Sequence, residues 1–147
     1  MPALTQDTIR FRNSHARAVE NRARMAASVT CHQGSLVAVN TATGFAGPAT
    51  TSTTIRVLGV ATSRAVNGAV AGATSVPYES GDWEFANLVG DPLTTADIGN
   101  ACFVVDDDTV ARTNGTSTRS AAGIFLGFSP VNPTRVMVRV GLGMGST

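Results

Sequence analysis

The sequence predicts an all-β fold, a small sandwich or barrel, that follows an extended or partly helical N-terminal arm. From Ser35 onward, short apolar and β-branched runs recur at near-regular spacing, which is the pattern of short strands. Gly, Pro and Asn residues separate these runs, as they do in turns. Residues 1–30 differ, because they hold five of the eleven arginines and no glycine. The 147 residues fit one domain with a core of its own.

The first predicted strands lie between residues 35 and 61. Ser35–Asn40 is apolar and β-branched, and Thr43–Phe45 is a second short extended stretch before a Gly-Pro break at residues 47–48. Thr54–Ala61 carries Gly59 inside an apolar run. A glycine in that position predicts a bulge or the close approach of another backbone.

Alternation of apolar and polar residues defines the later strands. In Asp82–Asn87 the two aromatic rings share one face, and in Thr134–Val140 three valines alternate with Arg135, Met137 and Arg139. The acidic run Asp106–Asp108 and the pair Asn114-Gly115 predict turns. The remaining predicted strands are Ala101–Val105, Thr109–Arg112 and Ala122–Phe128, the last interrupted by Gly127, where a bulge or close approach is likewise predicted.

The chain divides by composition into an arm at residues 1–30, a β domain at 31–141 and a flexible Gly-rich tail at 142–147. Within the arm, His15–Ala27 is rich in Ala and Arg, which favours a helix. Its apolar stripe is mostly alanine, so such a helix buries little area and is marginal alone. We therefore expect the arm to become ordered on a neighbouring subunit or a larger surface.

The charge pattern points toward protein partners. The net charge is only +1, so bulk electrostatics predicts no direct nucleic-acid partner. No apolar run approaches the ~20 residues that span a bilayer, so no membrane partner is expected. Residues 1–73 hold seven arginines against two carboxylates, and residues 74–147 hold four against eight. This asymmetry suits head-to-tail contact between copies or contact with another protein, and an ordinary mixed surface is the alternative.

Residue patterns for catalysis or metal binding are not found in the sequence. The only histidines are His15 and His32, and no nucleophile-elbow motif is present. The Asp106–Asp108 run lacks the alternating acids of a calcium loop. Cys31 and Cys102 lie far apart and are expected to be reduced thiols. We predict no enzyme activity, no catalytic residue, no metal and no cofactor.

The arginines of the arm are the candidate contact residues. Planar guanidinium groups bind carboxylates in bidentate fashion and suit protein interfaces. Phe11 is the one aromatic residue available there for stacking on bases, so a carboxylate partner is preferred over phosphate. The predicted contact residues are Arg10, Phe11, Arg12, Arg17, Arg22 and Arg24.

Several segments carry a resemblance to a known family. They are the opening Met1–Thr5, the strand Gly34–Asn40, the middle segments Phe85–Asn87, Asp91–Thr94 and Ala96–Gly99, and the blocks Cys102–Ala111 and Gly115–Gly123. Over most of residues 34–140 the chain resembles the small capsid decoration (cement) proteins of tailed bacteriophages, including the domain-of-unknown-function-2190 family. The Arg-rich segment 8–30 and the end after residue 131 depart from that pattern.

The resemblance implies an all-β virion structural protein without catalytic residues. It implies binding to the major capsid protein on the outer surface of an icosahedral head, after synthesis in the bacterial cytoplasm. It also implies self-association as a homotrimer and stabilisation of the head by bridging capsid subunits. Two alternatives remain: another virion β protein of the tail tube or baseplate, and a carbohydrate-binding module that uses Trp83 or Tyr78.

Overall fold

The computed structural model describes residues 21–141 and confirms the predicted all-β fold. A short 3-10 helix at Thr95–Asp97 is the one helical segment in this part of the chain. The strands are β1 Asn21–Arg24, β2 Thr30–Cys31, β3 Leu36–Asn40, β4 Ala46–Pro48, β5 Ile55–Ala61, β6 Ala65–Val66, β7 Ser75–Glu79, β8 Gly81–Asn87, β9 Ala101–Val104, β10 Thr109–Ala111, β11 Ala121–Phe128 and β12 Arg135–Val140.

The first sheet has five strands in the order β1-β7-β5-β3-β4, and all neighbours are antiparallel. Just beyond β1, Met25 forms a parallel bridge with Ala46 of β4, and the Ala26 N–H donates to the Ala46 carbonyl at 2.8 Å. The two outer strands therefore meet at one point, and the sheet curls around a core of its own. That core contains Met25, Cys31, Val37, Ala46, Leu58, Ala61, Ala65 and Val76.

The second sheet is a closed barrel in the order β10-β8-β12-β11-β9, and we call it the second barrel. Within it β10 runs parallel to β8, and the other pairs are antiparallel. The predicted alternation in β12 is confirmed, because Val136, Val138 and Val140 are fully buried beside Phe85 and Phe125. Closure leaves this barrel with no free strand edge.

Strands β3 and β5 form a wall shared by the two cores. Leu36 and Val57 pack with the core of the second barrel, whereas Val37 and Leu58 pack with the first core. A strand buried on both faces reads as a continuous apolar run, and the sequences of β3 and β5 have this character.

Two glycine predictions are confirmed. At Gly59 an added Cβ would collide with the Glu79 carbonyl, so this is a close approach of two backbones. Gly127 has φ +123° and lies where the register between β11 and β12 shifts, so it forms a bulge.

The predicted helix over His15–Ala27 is wrong where the structure describes that segment, because residues 21–24 form β1. Pairing with β7 and burial of Met25 outweigh the weak helix preference of Ala and Arg. Residues 21–30 thus pack within the β domain, which corrects the boundary placed at residue 30. The rest of the arm and the tail at 142–147 lie outside the described residues.

The other differences between the predicted and the observed strands concern short segments. Thr43–Phe45 is mostly turn rather than strand, and β4 instead covers the Gly-Pro pair that was expected to be a break. Pro48 is tolerated because β4 is an outer strand. The sequence did not predict β1, β2, β6 or β7, of which β2 and β6 have two residues each.

Candidate functional site

Two of the predicted contact residues lie on the outer strand β1. The side chains of Arg22 and Arg24 are exposed, and they share one face because they are two residues apart in a strand. Between them Ala23 packs against the first core. We call Arg22 and Arg24 the basic edge. The other predicted residues, Arg10, Phe11, Arg12 and Arg17, lie outside the described part of the chain.

The arginines of the two sheets differ in whether they form ion pairs. In the second barrel and its loops, each of the four arginines contacts a carboxylate: Arg112–Asp97, Arg119–Asp91, Arg135–Glu84 and Asp108, and Arg139–Asp82. The four described arginines of the first half, Arg22, Arg24, Arg56 and Arg64, contact no carboxylate of residues 21–141. The unneutralised positive charge of the described structure is therefore concentrated on the first sheet.

A bidentate ion pair joins Asp82 on β8 to Arg139 on β12. Arg139 donates from Nε to Asp82 Oδ1 at 2.8 Å and from Nη2 to Asp82 Oδ2 at 3.0 Å. This bidentate contact lowers the pKa of the Asp82 carboxyl. Asp82 and Glu84, which share one face of β8, are thus each paired with an arginine of the neighbouring strand β12.

An open groove lies where the first sheet meets the second barrel, with a volume of about 480 Å³. Ile55, Val57 and Phe103 contribute apolar surface, while Arg56 and Arg119 supply positive charge and no carboxylate lines it. We call it the junction groove. Neither Arg56 nor Arg119 was predicted as a contact residue from the sequence. Arg56 carries a weak signal, since it is the one charged residue in the apolar run of β5.

The loop between β10 and β11 is held against this groove by Asp91. The Asp91 carboxylate accepts hydrogen bonds from Thr113 N–H at 3.0 Å, Thr113 Oγ1 at 2.5 Å and Arg119 Nη1 at 2.9 Å. The Thr113 hydroxyl, assisted by Arg119, lowers the pKa of Asp91. The predicted turn at Asn114-Gly115 is confirmed, with Gly115 to Ser117 all at φ +63°. Three successive left-handed residues need such tethers.

A second groove of about 440 Å³ is acidic, and its acids have internal partners. Arg135 lies 3.1 Å from Glu84 Oε1 and 2.5 Å from Asp108 Oδ1. The Nε atom of Arg135 makes no well-directed hydrogen bond at that distance, so we treat the Glu84 contact as an ion pair only. Ser35 Oγ donates to Asp107 Oδ2 at 2.9 Å, and the acidic turn is confirmed by Asp108 N–H donating to Asp106 Oδ1.

The histidine, hydroxyl and carboxylate groups that line this acidic groove are not arranged as a proton relay. His32 lines it and is exposed, but within residues 21–141 its side chain makes no hydrogen bond. The Ser35 hydroxyl is directed to Asp107 rather than to His32. Among the described residues, no three His, Cys, Asp or Glu side chains are placed to hold a metal ion.

The two thiols are free and buried, which confirms the expected reduced state. Cys31 lies in the first core and Cys102 in the second. Burial raises the pKa of Cys31 to about 11, with a further contribution from Asp107, and raises the pKa of Cys102 to about 12. Both are therefore neutral thiols at neutral pH.

The rings proposed for carbohydrate binding do not form an exposed platform. Trp83 is partly buried against the second core and Tyr78 against the first. Burial also raises the pKa of Tyr78. Both rings contribute to packing. No helix in residues 21–141 has the length and apolar character of a membrane span.

Comparisons with protein-family models, with curated proteins and with solved structures find no match to this chain. The function is therefore inferred from the residues and their geometry.

Proposed function

We propose that this protein is a capsid decoration protein. It binds the outer surface of an icosahedral phage head and stabilises the head by bridging subunits of the major capsid protein. The single observation that carries the proposal is the basic edge. Arg22 and Arg24 are exposed on an outer strand, they lack a carboxylate partner within residues 21–141, and the Arg-rich N-terminal segment enters the β domain there.

The placement of this edge suits adhesion. β1 is anchored to β7 by four residue pairs, and Met25 immediately after it is fully buried. A segment attached to such a strand transmits its contacts to a rigid domain. Guanidinium groups without a carboxylate partner among the described residues are available for carboxylates on another protein, where they form directional pairs. Such arginines lie on the first sheet, whereas those of the second barrel are ion-paired, and this difference defines the side that would face the shell.

Stabilisation of a shell needs binding and no chemical step. A protein that binds the mature shell and not its disassembled subunits stabilises the shell by mass action. We also propose a homotrimer, in which three basic edges engage three capsid subunits. After the first contact the other two form at a high effective concentration, so three weak footprints give strong attachment.

The test is binding to empty heads of the phage that encodes this chain. A variant that begins at residue 21 keeps β1 and Met25, and a variant that begins at residue 31 would lose both. We expect the residue-21 variant to fold and to bind heads more weakly than the full chain in a co-sedimentation assay. Equal binding by the two forms would remove the arm from the mechanism.

A pair of point variants tests the basic edge itself. Arg22→Glu reverses one of its charges, and Arg64→Glu reverses an exposed arginine in the turn after β5 that likewise lacks a partner among the described residues. We expect Arg22→Glu to weaken head binding about tenfold and Arg64→Glu to change it less than twofold. Equal losses would show that only net charge matters.

The second candidate function is that of a structural protein in the tail tube or baseplate, because the same basic edge would serve attachment there. Immunogold electron microscopy of particles separates the two proposals, since label on the head supports decoration and label confined to the tail supports the alternative.

A further inference from the structure

The chain contains the pair Asn-Gly twice, and the structure places the two copies in different surroundings. Asn114-Gly115 lies in the loop between β10 and β11, where Asn114 is exposed. Asn67-Gly68 follows β6, and Asn67 is buried, with only 4% of its surface exposed. Because the reacting pair is the same in both places, a large difference in reactivity would have to come from the fold.

An asparagine that precedes a glycine can lose its side-chain amide without an enzyme. The glycine nitrogen bonds to the asparagine Cγ, the Cγ–Nδ2 bond breaks, and ammonia leaves with the proton of the glycine nitrogen. Water then opens the cyclic succinimide to aspartate or isoaspartate. Glycine favours this attack because it has no Cβ to hinder the approach of its backbone. The reaction also needs a side chain that can rotate into reach, access to water, and stabilisation of the negative charge that develops on Oδ1.

The surroundings of Asn114 meet these requirements. Its exposure gives access to water, and its Oδ1 accepts a hydrogen bond from the Ser117 N–H at 3.1 Å. This donor is directed at the atom on which negative charge develops during the attack. The attacking group, the Gly115 N–H, donates to Thr113 Oγ1 at 3.3 Å, which is longer than the usual N–H···O distance and therefore easily broken.

The surroundings of Asn67 oppose the same reaction. Its Nδ2 donates to three backbone carbonyls, at 3.2 Å to Met25, 2.9 Å to Ala26 and 3.1 Å to Val70. These hydrogen bonds hold the amide group that would have to rotate and leave. The buried Oδ1 of Asn67 accepts no hydrogen bond within residues 21–141, so no donor there stabilises a negative charge on it.

We propose that Asn114 is a site of spontaneous deamidation in the folded protein, whereas the fold protects Asn67. This inference is independent of the proposed function. Its product alters the junction groove, which Asn114 lines together with Arg56 and Arg119 and which has no carboxylate among its lining residues. An aspartate at position 114 can still accept the Ser117 N–H, and its charge is opposite to that of the two arginines. The loop therefore accommodates the aspartate product.

The test follows both asparagines in the full-length protein during incubation at pH 8 and 37 °C, once in native buffer and once in urea. Trypsin releases residues 113–119, in which Asn114 is the one side-chain amide. Tandem mass spectrometry measures conversion of amide to acid in this peptide and at Asn67. A sample taken at time zero corrects for conversion during digestion, and Asn67 is the matched internal control.

We expect native Asn114 to convert at least about tenfold faster than native Asn67, which corresponds to a difference of about 1.4 kcal/mol in activation free energy. In urea the two rates should agree within about threefold, because unfolding removes the partners and the burial of Asn67. Equal native rates at the two positions would overturn the proposal. A native Asn114 that stays unconverted while the urea sample converts would overturn it as well.

The outcome is separable from that of the proposed function. The incubation contains no phage heads, so deamidation at Asn114 can be observed or refuted whether or not the protein binds heads.

Discussion

Single glycines control how closely the strands of this protein approach each other. The pattern of an isolated glycine in an apolar strand correctly marked Gly59 and Gly127. It did not mark Gly123, where an added Cβ would collide with the carbonyl of Arg139. Gly123 follows two alanines, so its local sequence gives no sign that β12 approaches so closely.

Gly123→Ala is expected to lower the free energy of unfolding by about 1–3 kcal/mol, because the Arg139 backbone must move away. Gly90→Ala is the matched control, since no atom lies within 4 Å of a Cβ added there and its φ is ordinary. It should change the free energy by less than about 0.5 kcal/mol. Urea unfolding measures both, and equal effects would contradict the close approach.

The two thiols are expected to resist modification in the folded state. Burial and their raised pKa values, about 11 for Cys31 and about 12 for Cys102, keep them protonated and inaccessible. A disulfide reagent at pH 8 should label neither in native buffer and both in urea. Ser63→Cys provides an exposed control thiol that should react at once. Rapid native labelling of the parent protein would contradict the described cores.

Stability should fall in acid because of Asp91 and Asp97. The pKa of Asp91 is lowered mainly by the Thr113 hydroxyl, and that of Asp97 mainly by the Thr94 amide with help from Arg112. Their stabilising contribution is present above the unfolded-state value near 3.8 and is lost as pH falls through the lower folded-state values. Urea unfolding between pH 7 and pH 2.5 should show a shallower loss for Asp91→Asn than for the parent protein. An identical slope would contradict this assignment.

Among the strands, the sequence predicted every one of six or more residues and missed four of the shorter ones, β1, β2, β6 and β7. Strands β5, β8, β11 and β12 carry six to eight residues each, enough for alternation or apolar runs to be visible. β1 was missed because the sequence Asn-Arg-Ala-Arg has no strand signature, and its conformation is imposed by β7. Both arginines of the basic edge were thus predicted by residue type, but the strand that carries them was not.

Two truncated chains distinguish the contribution of residues 1–20 to stability from that of β1 and Met25. A chain starting at residue 21 should retain the thermal stability of the full protein, because β1 and Met25 are kept. A chain starting at residue 27 loses both and should be destabilised by at least 2–5 kcal/mol, the cost typical of removing one buried methionine side chain. Differential scanning calorimetry compares the two. Equal melting temperatures would place Met25 outside the core.

At the scale of the whole molecule, charge partition is the feature that connects fold to function. The sequence already showed a basic first half and an acidic second half. It could not show that the arginines of the second half are neutralised internally, because Arg119–Asp91 and Arg139–Asp82 join residues 28 and 57 positions apart. Among residues 21–141, the guanidinium groups without a carboxylate partner belong to the first sheet and to the turn after β5.

Binding to heads should weaken as salt rises, because exposed arginine–carboxylate contacts are screened over about 8–10 Å at physiological ionic strength. We expect the dissociation constant for heads to increase severalfold between 50 and 300 mM NaCl. Arg22→Glu should show a smaller salt dependence than the parent, and Arg64→Glu an unchanged one. A salt-independent affinity would contradict recognition by the basic edge.

Cryo-electron microscopy of empty heads incubated with the purified full-length chain would show whether this protein binds the shell and through which surface. We predict additional density on the outer shell surface, with the first sheet toward the capsid and β1 at the contact. Heads without added density at saturating protein, or density attached through the closed second barrel, would contradict this prediction.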